Sequence, residues 1–289
     1  MKPLALFATP WLLACSSLLS AAPAVDHLRL SVIPTASSSG AAEAMVVSGG
    51  RWGTQRHLLH AAILIEHPQG RFLFDTGLGH ETAEAFARNN WLNRTLLAYE
   101  NLNPARDQLE AAGYQASDID FILPSHLHWD HLGGLPDFPG LPVLILPGAL
   151  EEAKKHGQPP AFLAEQLEGE RAWRQIALDD VPYQGFERSL DLFGDGQIVL
   201  VDLSGHTAGQ VGLFVNLPSG KRLFLIGDTS WTERGVEQPG GATVAATHLH
   251  LAAPPLSAAG SRRNQTGRYL PEPHLAGPHH LLRGSDLHR

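Results

Sequence analysis

Residues His126-Leu127-His128-Trp129-Asp130-His131 set four metal-ligating side chains within six positions, directly after the apolar run Phe121-Ile122-Leu123. Three imidazoles and a carboxylate crowded together repel when protonated and lose hydration when buried. A divalent cation removes both costs, because neutral imidazole and carboxylate are ligands that zinc and iron accept. The spacing gives two pairs: His126 and His128 suit one ion, Asp130 and His131 a neighbouring one. The competing reading is a His-rich surface loop, but a strand has little structural reason to end in such a cluster. Gly133-Gly134 follow at once, as expected where backbone turns tightly beside a site.

Further segments share this habit of ending an apolar run in a polar signal. Ile198-Val199-Leu200-Val201 leads into Asp202-Leu203-Ser204-Gly205-His206-Thr207-Ala208-Gly209. Arg222 to Ile226 ends in Gly227-Asp228, and upstream Arg71-Phe72-Leu73-Phe74 ends in Asp75-Thr76-Gly77. Singly, each is an ordinary turn or a solvated histidine. In this order around the six-residue cluster, they resemble the metallo-β-lactamase superfamily of dinuclear metallohydrolases, over about residues 28 to 233.

The elements that must carry these residues are short strands and helices in alternation. Strands are expected near 28–33, 60–66, 71–75, 119–123, 142–146, 197–202, 211–217 and 222–227, each rich in Val, Ile, Leu or Phe. Helical patterns fall at about 80–90, 105–113, 147–156 and 160–171. The second of these sets Leu109 and Ala112 against Arg106, Asp107 and Glu110. Alternation of this kind specifies α/β layers, and the resemblance sharpens them to an αββα sandwich with metal ligands on loops at one edge. Residues 34–56, with Ser37-Ser38-Ser39-Gly40 and Gly49-Gly50, read as a loop or flexible hairpin near the site mouth.

A chain of 289 residues, 43% hydrophobic and 17% charged, can bury one large core or two small ones. Its net charge of -8 does not favour a nucleic-acid partner, and a small-molecule substrate is expected. Outside the first two dozen residues no run of 18 apolar residues occurs, so no stable membrane insertion is expected. Residues 1–24 read as an export signal, with Lys2, an apolar stretch and cleavage after Ala22-Pro23-Ala24, giving a periplasmic or secreted protein. The alternative is lipoprotein processing at Cys15, the single cysteine. With the signal removed, no cysteine remains to act as nucleophile, metal ligand or disulfide partner. Nothing in the residues specifies an oligomer.

The hydrolase domain is drawn at 25–233, and residues 234–289 as an atypical, poorly ordered tail. From Arg234 onward Phe, Ile, Trp, Met and Lys are absent. We expect this tail to be foreign to the family, for instance a gene end read out of frame; a family-like helix missing from the other two frames would sink that idea.

The resemblance implies roles residue by residue. His126, His128 and His206 would hold the first divalent ion, Asp130 and His131 the second, and Asp228 would bridge the two. A C-terminal histidine would complete the set, with His279 and His280 the nearest match and His248 or His250 the next. Two ions, zinc with iron or manganese as alternatives, would activate a bridging water as nucleophile toward a carbonyl carbon. Asp130 would carry a proton to the leaving group. Asp75 would brace the ligand loops from behind, or simply end its strand in a turn. The carboxylate at Asp228 points to the branch with N-acyl-homoserine lactonases and glyoxalase II thioesterases rather than true β-lactamases. Lactonases of that branch often carry Tyr three residues after the bridging Asp, where this chain has Trp231. Lysines suited to holding glutathione are not evident in Lys154, Lys155 or Lys221. Opening of a lactone or small ester is therefore expected. A thioesterase or β-lactamase is the alternative reaction, and a catalytically impaired metal-binding scaffold the alternative of another kind.

Overall fold

Phe72 and Phe74 point to one side of their strand and Leu73 to the other, and all three are fully buried. A strand with both faces apolar needs layers on both sides. The computed structural model describes residues 25–156, 159–168 and 171–237. The expected signal peptide 1–24 with Cys15, and the tail histidines His248, His250, His279 and His280, lie outside the described residues.

The strands in chain order are β1 (Arg29–Ser38), β2 (Ala41–Ala42), β3 (Gln55–Arg56), β4 (Leu59–His67), β5 (Gly70–Thr76), β6 (Tyr99–Glu100), β7 (Phe121–Leu123), β8 (Pro142–Ile145), β9 (Ala172–Gln175), β10 (Ser189–Asp191), β11 (Ile198–Asp202), β12 (Val211–Asn216) and β13 (Arg222–Leu225). Seven form one sheet in the order β6-β1-β4-β5-β7-β8-β9, and four form a second, β10-β11-β12-β13. The first sheet changes from antiparallel pairing at β1-β4-β5 to parallel pairing at β5-β7-β8-β9. Between the sheets Ile65, Phe72, Phe74, Phe121 and Leu123 meet Ile198, Leu200, Leu213 and Val215. On the other face of the first sheet Leu64, Leu73, Ile122 and Val143 pack on Ala105 and Leu109 of the helix Ala105–Ala111 and on Ala149 and Ala153 of the helix Ala149–His156. The α/β layering expected from the sequence is present. The outer face of the second sheet is covered by Tyr183 and Phe186 over Val199, Val201 and Phe214, a cluster with no helical residue.

The helix expected over 160–171 is a correction. Among the described residues of that stretch only Ala164–Leu167 is helical, and Leu163 before it is extended. Adjacent Phe162 and Leu163 bury into different clusters. An extended backbone sends neighbouring side chains to opposite sides; one helix face cannot. The stretch 34–56 is also more ordered than expected. β1 runs on to Ser38, β2 pairs with β3, and between them buried Glu43 accepts from Arg56, the Arg51 backbone N–H and Arg234. No helix among the described residues is long and apolar enough to cross a membrane.

Candidate metal centre

The ligand loop leaves β7, which is buried between its parallel neighbours β5 and β8, so its direction is set before the first histidine is reached. Ser125 then donates from its backbone N–H to Asp75 Oδ1 at 2.5 Å and from its hydroxyl to Asp75 Oδ2 at 2.9 Å. Asp75 sits at φ 59°, a left-handed conformation that Asp tolerates better than most residues. The short helix Trp129–Leu132 begins after extended His128 and presents Asp130 and His131 together. Gly134 lets this helix return against the end of β5: a Cβ there would lie 2.8 Å from the Thr76 carbonyl oxygen. The second sheet is tied in by Val211, whose N–H donates to the Ser125 carbonyl at 2.7 Å. Buried Gln210 donates from Nε2 to the Ile226 carbonyl at 3.0 Å and to Thr229 Oγ1 at 2.9 Å, gripping the Asp228 turn from both sides.

These loops bring His126, His128, His206 and Asp228 into one group and Asp130, His131 and Asp228 into another, each with ligand atoms within 4.8 Å of one another. Asp228 belongs to both. Its Oδ2 lies 3.6 Å from His206 Nε2 and 3.9 Å from His126 Nε2, while its Oδ1 lies 3.1 Å from His131 Nε2. His206 Nε2 stands 3.0 Å from His128 Nδ1, and Asp130 Oδ2 stands 3.7 Å from His131 Nε2. Ligands at about 2.0–2.1 Å around a tetrahedral ion are about 3.3 Å apart, so these separations suit a shared cation.

The electrostatics agree with that fit. Burial, then the neighbouring histidines, holds His126 well below the usual imidazole range. Burial, then His206, pushes His128 down to about 3. Both rings are therefore neutral near pH 7, the state in which imidazole binds a metal. Burial opposes charge on His131 as well, but Asp75, Asp228 and Asp130 outweigh it and raise its pKa well above the ordinary value. Burial also opposes charge on Asp130 and Asp228, and is outweighed chiefly by His131, so both carboxylates stay ionised. Three carboxylates thus converge where a cation is favoured. His126 Nε2 is buried without a hydrogen-bond partner, a polar atom that a bound ion would satisfy.

Asp75 lies behind the site rather than in it. Its Oδ2 accepts from His131 Nδ1 at 2.8 Å, which leaves His131 Nε2 facing Asp228. Trp231 is half-buried just past the Asp228 turn. Sequence reasoning missed His60, whose Nδ1 lies 3.3 Å from Asp130 Oδ2, and the supports Ser125 and Gln210. A lone histidine inside a strand and a buried glutamine carry no local signal; the one available for Ser125 is its place next to His126.

The sequence model of the Metallo-beta-lactamase superfamily matches residues 57–259. The chain belongs to the metallo-beta-lactamase superfamily. The match runs past the boundary drawn at residue 233. Among curated superfamily relatives, a Mycobacterium tuberculosis protein named as a probable metallo-hydrolase is 31% identical over 188 residues, 62% of this chain and 58% of the relative. The N-acyl homoserine lactonase AttM of Agrobacterium fabrum is 27% identical over 184 residues, 58% of this chain and 64% of the relative. The matched part therefore spans about three fifths of each relative's length. A solved N-acyl homoserine lactone hydrolase, with the product N-hexanoyl-L-homoserine at its catalytic metal center, superposes with a TM-score of 0.61 at 21% identity, covering 80% of this chain and 85% of that one. A quorum-quenching N-acyl homoserine lactone lactonase gives 0.55 at 22% identity, covering 76% and 83%. Both share the superfamily fold.

Proposed function

We propose that this chain is a metal-dependent hydrolase that opens a lactone or small ester, with two divalent ions held by His126, His128 and His206 on one side and Asp130 and His131 on the other. The observation that carries the reading is the division of Asp228, with Oδ2 toward the three-histidine group and Oδ1 toward His131. The lactonases among its relatives support a lactone over a thioester. Zinc is the ion best suited to a set of imidazoles and carboxylates, with iron and manganese as alternatives.

When bound, such ions activate water and stabilise charge on a carbonyl oxygen. The chain's own part is to hold and move protons around that event. Asp130 is ionised and its carboxylate lies on the Oδ1 side of Asp228, so with Oδ2 turned toward His131 its other oxygen is placed to take a proton and return it to the departing alkoxide. Trp231 offers an indole N–H that can donate a hydrogen bond but no transferable phenolic proton. The proton return therefore falls to Asp130. The test is a panel of lactones, esters and thioesters offered to metal-loaded wild type and Asp130→Asn. Lactone turnover that is abolished by chelator and suppressed by Asp130→Asn supports the reading. Equal turnover in the variant, or turnover of thioesters alone, contradicts it.

A further inference from the structure

Among the described residues, His60 is a histidine beside the centre that the ligand groups do not include. It lies in β4, where Thr35 Oγ1 donates to its carbonyl oxygen at 3.0 Å and anchors the backbone. Its ring tilts over Trp129, with centroids 5.8 Å apart, and its side chain is only 13% exposed. From that seat Nδ1 reaches Asp130 Oδ2 at 3.3 Å. The same oxygen is 3.7 Å from His131 Nε2.

A carboxylate oxygen has two lone pairs. An Asp side chain on a four-residue helix can otherwise rotate and offer an ion either oxygen, or both. We propose that His60 is a positioning residue for the second ion: its Nδ1–H donates to one lone pair of Asp130 Oδ2 and so aims the other at the space shared with His131 and Asp228. The proposal rests on the metal-site reading given above. Packing on Trp129 seats the ring for this contact, because Trp129 and Asp130 are consecutive on the same helix. One imidazole thus fixes the helix residue that is buried and the neighbour that binds. The ring is not itself a ligand, since its nitrogens fall outside the group formed by Asp130, His131 and Asp228.

The experiment uses cobalt(II) on the full chain, read by equilibrium dialysis against a competing chelator and by the visible d–d absorption of the bound ion. His60→Phe keeps the ring on Trp129 and removes the donor; His60→Asn returns an N–H near the position of Nδ1. We expect wild type to take up two equivalents. His60→Phe should weaken the second by about 10- to 100-fold, the usual effect of losing a partner behind a ligand, with its d–d band altered. The first equivalent and the thermal midpoint should stay close to wild type, and His60→Asn should recover much of the loss. Should His60→Phe fail to fold, His60→Leu replaces it with the same expectation. Wild-type affinity for both equivalents in the donorless variant overturns the role of His60 alone. Equal losses in His60→Phe and His60→Asn, with lowered midpoints, overturn it in favour of simple packing. A wild-type chain that takes up no cobalt overturns the metal-site reading and this proposal with it.

Discussion

Replacing Asp75 with Asn separates the charge behind His131 from the backbone that carries it. Asn accepts the left-handed conformation at φ 59° about as well as Asp, so the turn at the end of β5 survives. One side-chain oxygen can still accept from the Ser125 N–H, now made at 2.5 Å. The other position becomes an NH2 facing His131 Nδ1, where Oδ2 now sits at 2.8 Å. Two donors cannot share that contact, so His131 must carry its proton on Nε2, the nitrogen that faces Asp228. A protonated Nε2 cannot bind a metal. The lost charge-assisted hydrogen bond is worth about 1.5–3 kcal/mol. That matches the roughly 10- to 100-fold fall in metal affinity typical of such a change, about 1.4–2.8 kcal/mol. Zinc competition with a chromophoric chelator should show this loss for the ion beside His131 and little for the ion at His126, His128 and His206. If Asp75→Asn holds both ions as tightly as wild type, the brace is only a strand-end turn and the reasoning fails.

Three other outcomes are expected. Arg56, then the Arg51 N–H, with Arg234, hold the Glu43 carboxyl down to about 2 against burial, from an ordinary value of 4.5. The stability this contributes is present above about pH 4.5 and disappears as pH falls toward 2. Urea midpoints of wild type and Glu43→Gln should therefore converge with acidification; a constant gap contradicts the assignment. Asp137, helped by Asp107, raises the pKa of His80 against the cost of burial. Its contribution is present below about pH 6.5 and lost as pH rises through the raised value, and half-exposure keeps it under about 1 kcal/mol. His80→Gln should flatten that pH dependence, and an unchanged profile would count against it. Gly134→Ala places a methyl 2.8 Å from the Thr76 carbonyl oxygen and should cost about 1–3 kcal/mol in urea unfolding. No loss there would mean the backbone approach is looser than described.

The candidate centre was legible because its residues are chemically distinctive and crowd the ends of strands whose apolar runs are unmistakable. His126, His128, Asp130 and His131 stood out by adjacency, while His206 and Asp228, each just past an apolar strand, gained meaning only through the family resemblance. Residues that support them from a distance left no trace. His60 is one histidine in a strand, and Gln210 looks like any loop glutamine until Ile226 and Thr229 fold back on it. Glu43 read as part of a loop or flexible hairpin, because the arginines that bury its charge lie 8, 13 and 191 residues away. The short strands β9 and β10 carry too few apolar residues to show a period. The overlong helix at 160–171 came from composition without the tertiary pull that sends Phe162 and Leu163 in opposite directions.

The central claim is that Asp228 joins two ions. Electron paramagnetic resonance of the chain loaded with cobalt(II), with the metal content of the same sample measured by plasma mass spectrometry, tests it most directly. The account predicts two equivalents and a spin-coupled signal that separates into independent ions, or loses one of them, in Asp228→Ala. A single equivalent, or two magnetically independent ions in the wild-type chain, would contradict it.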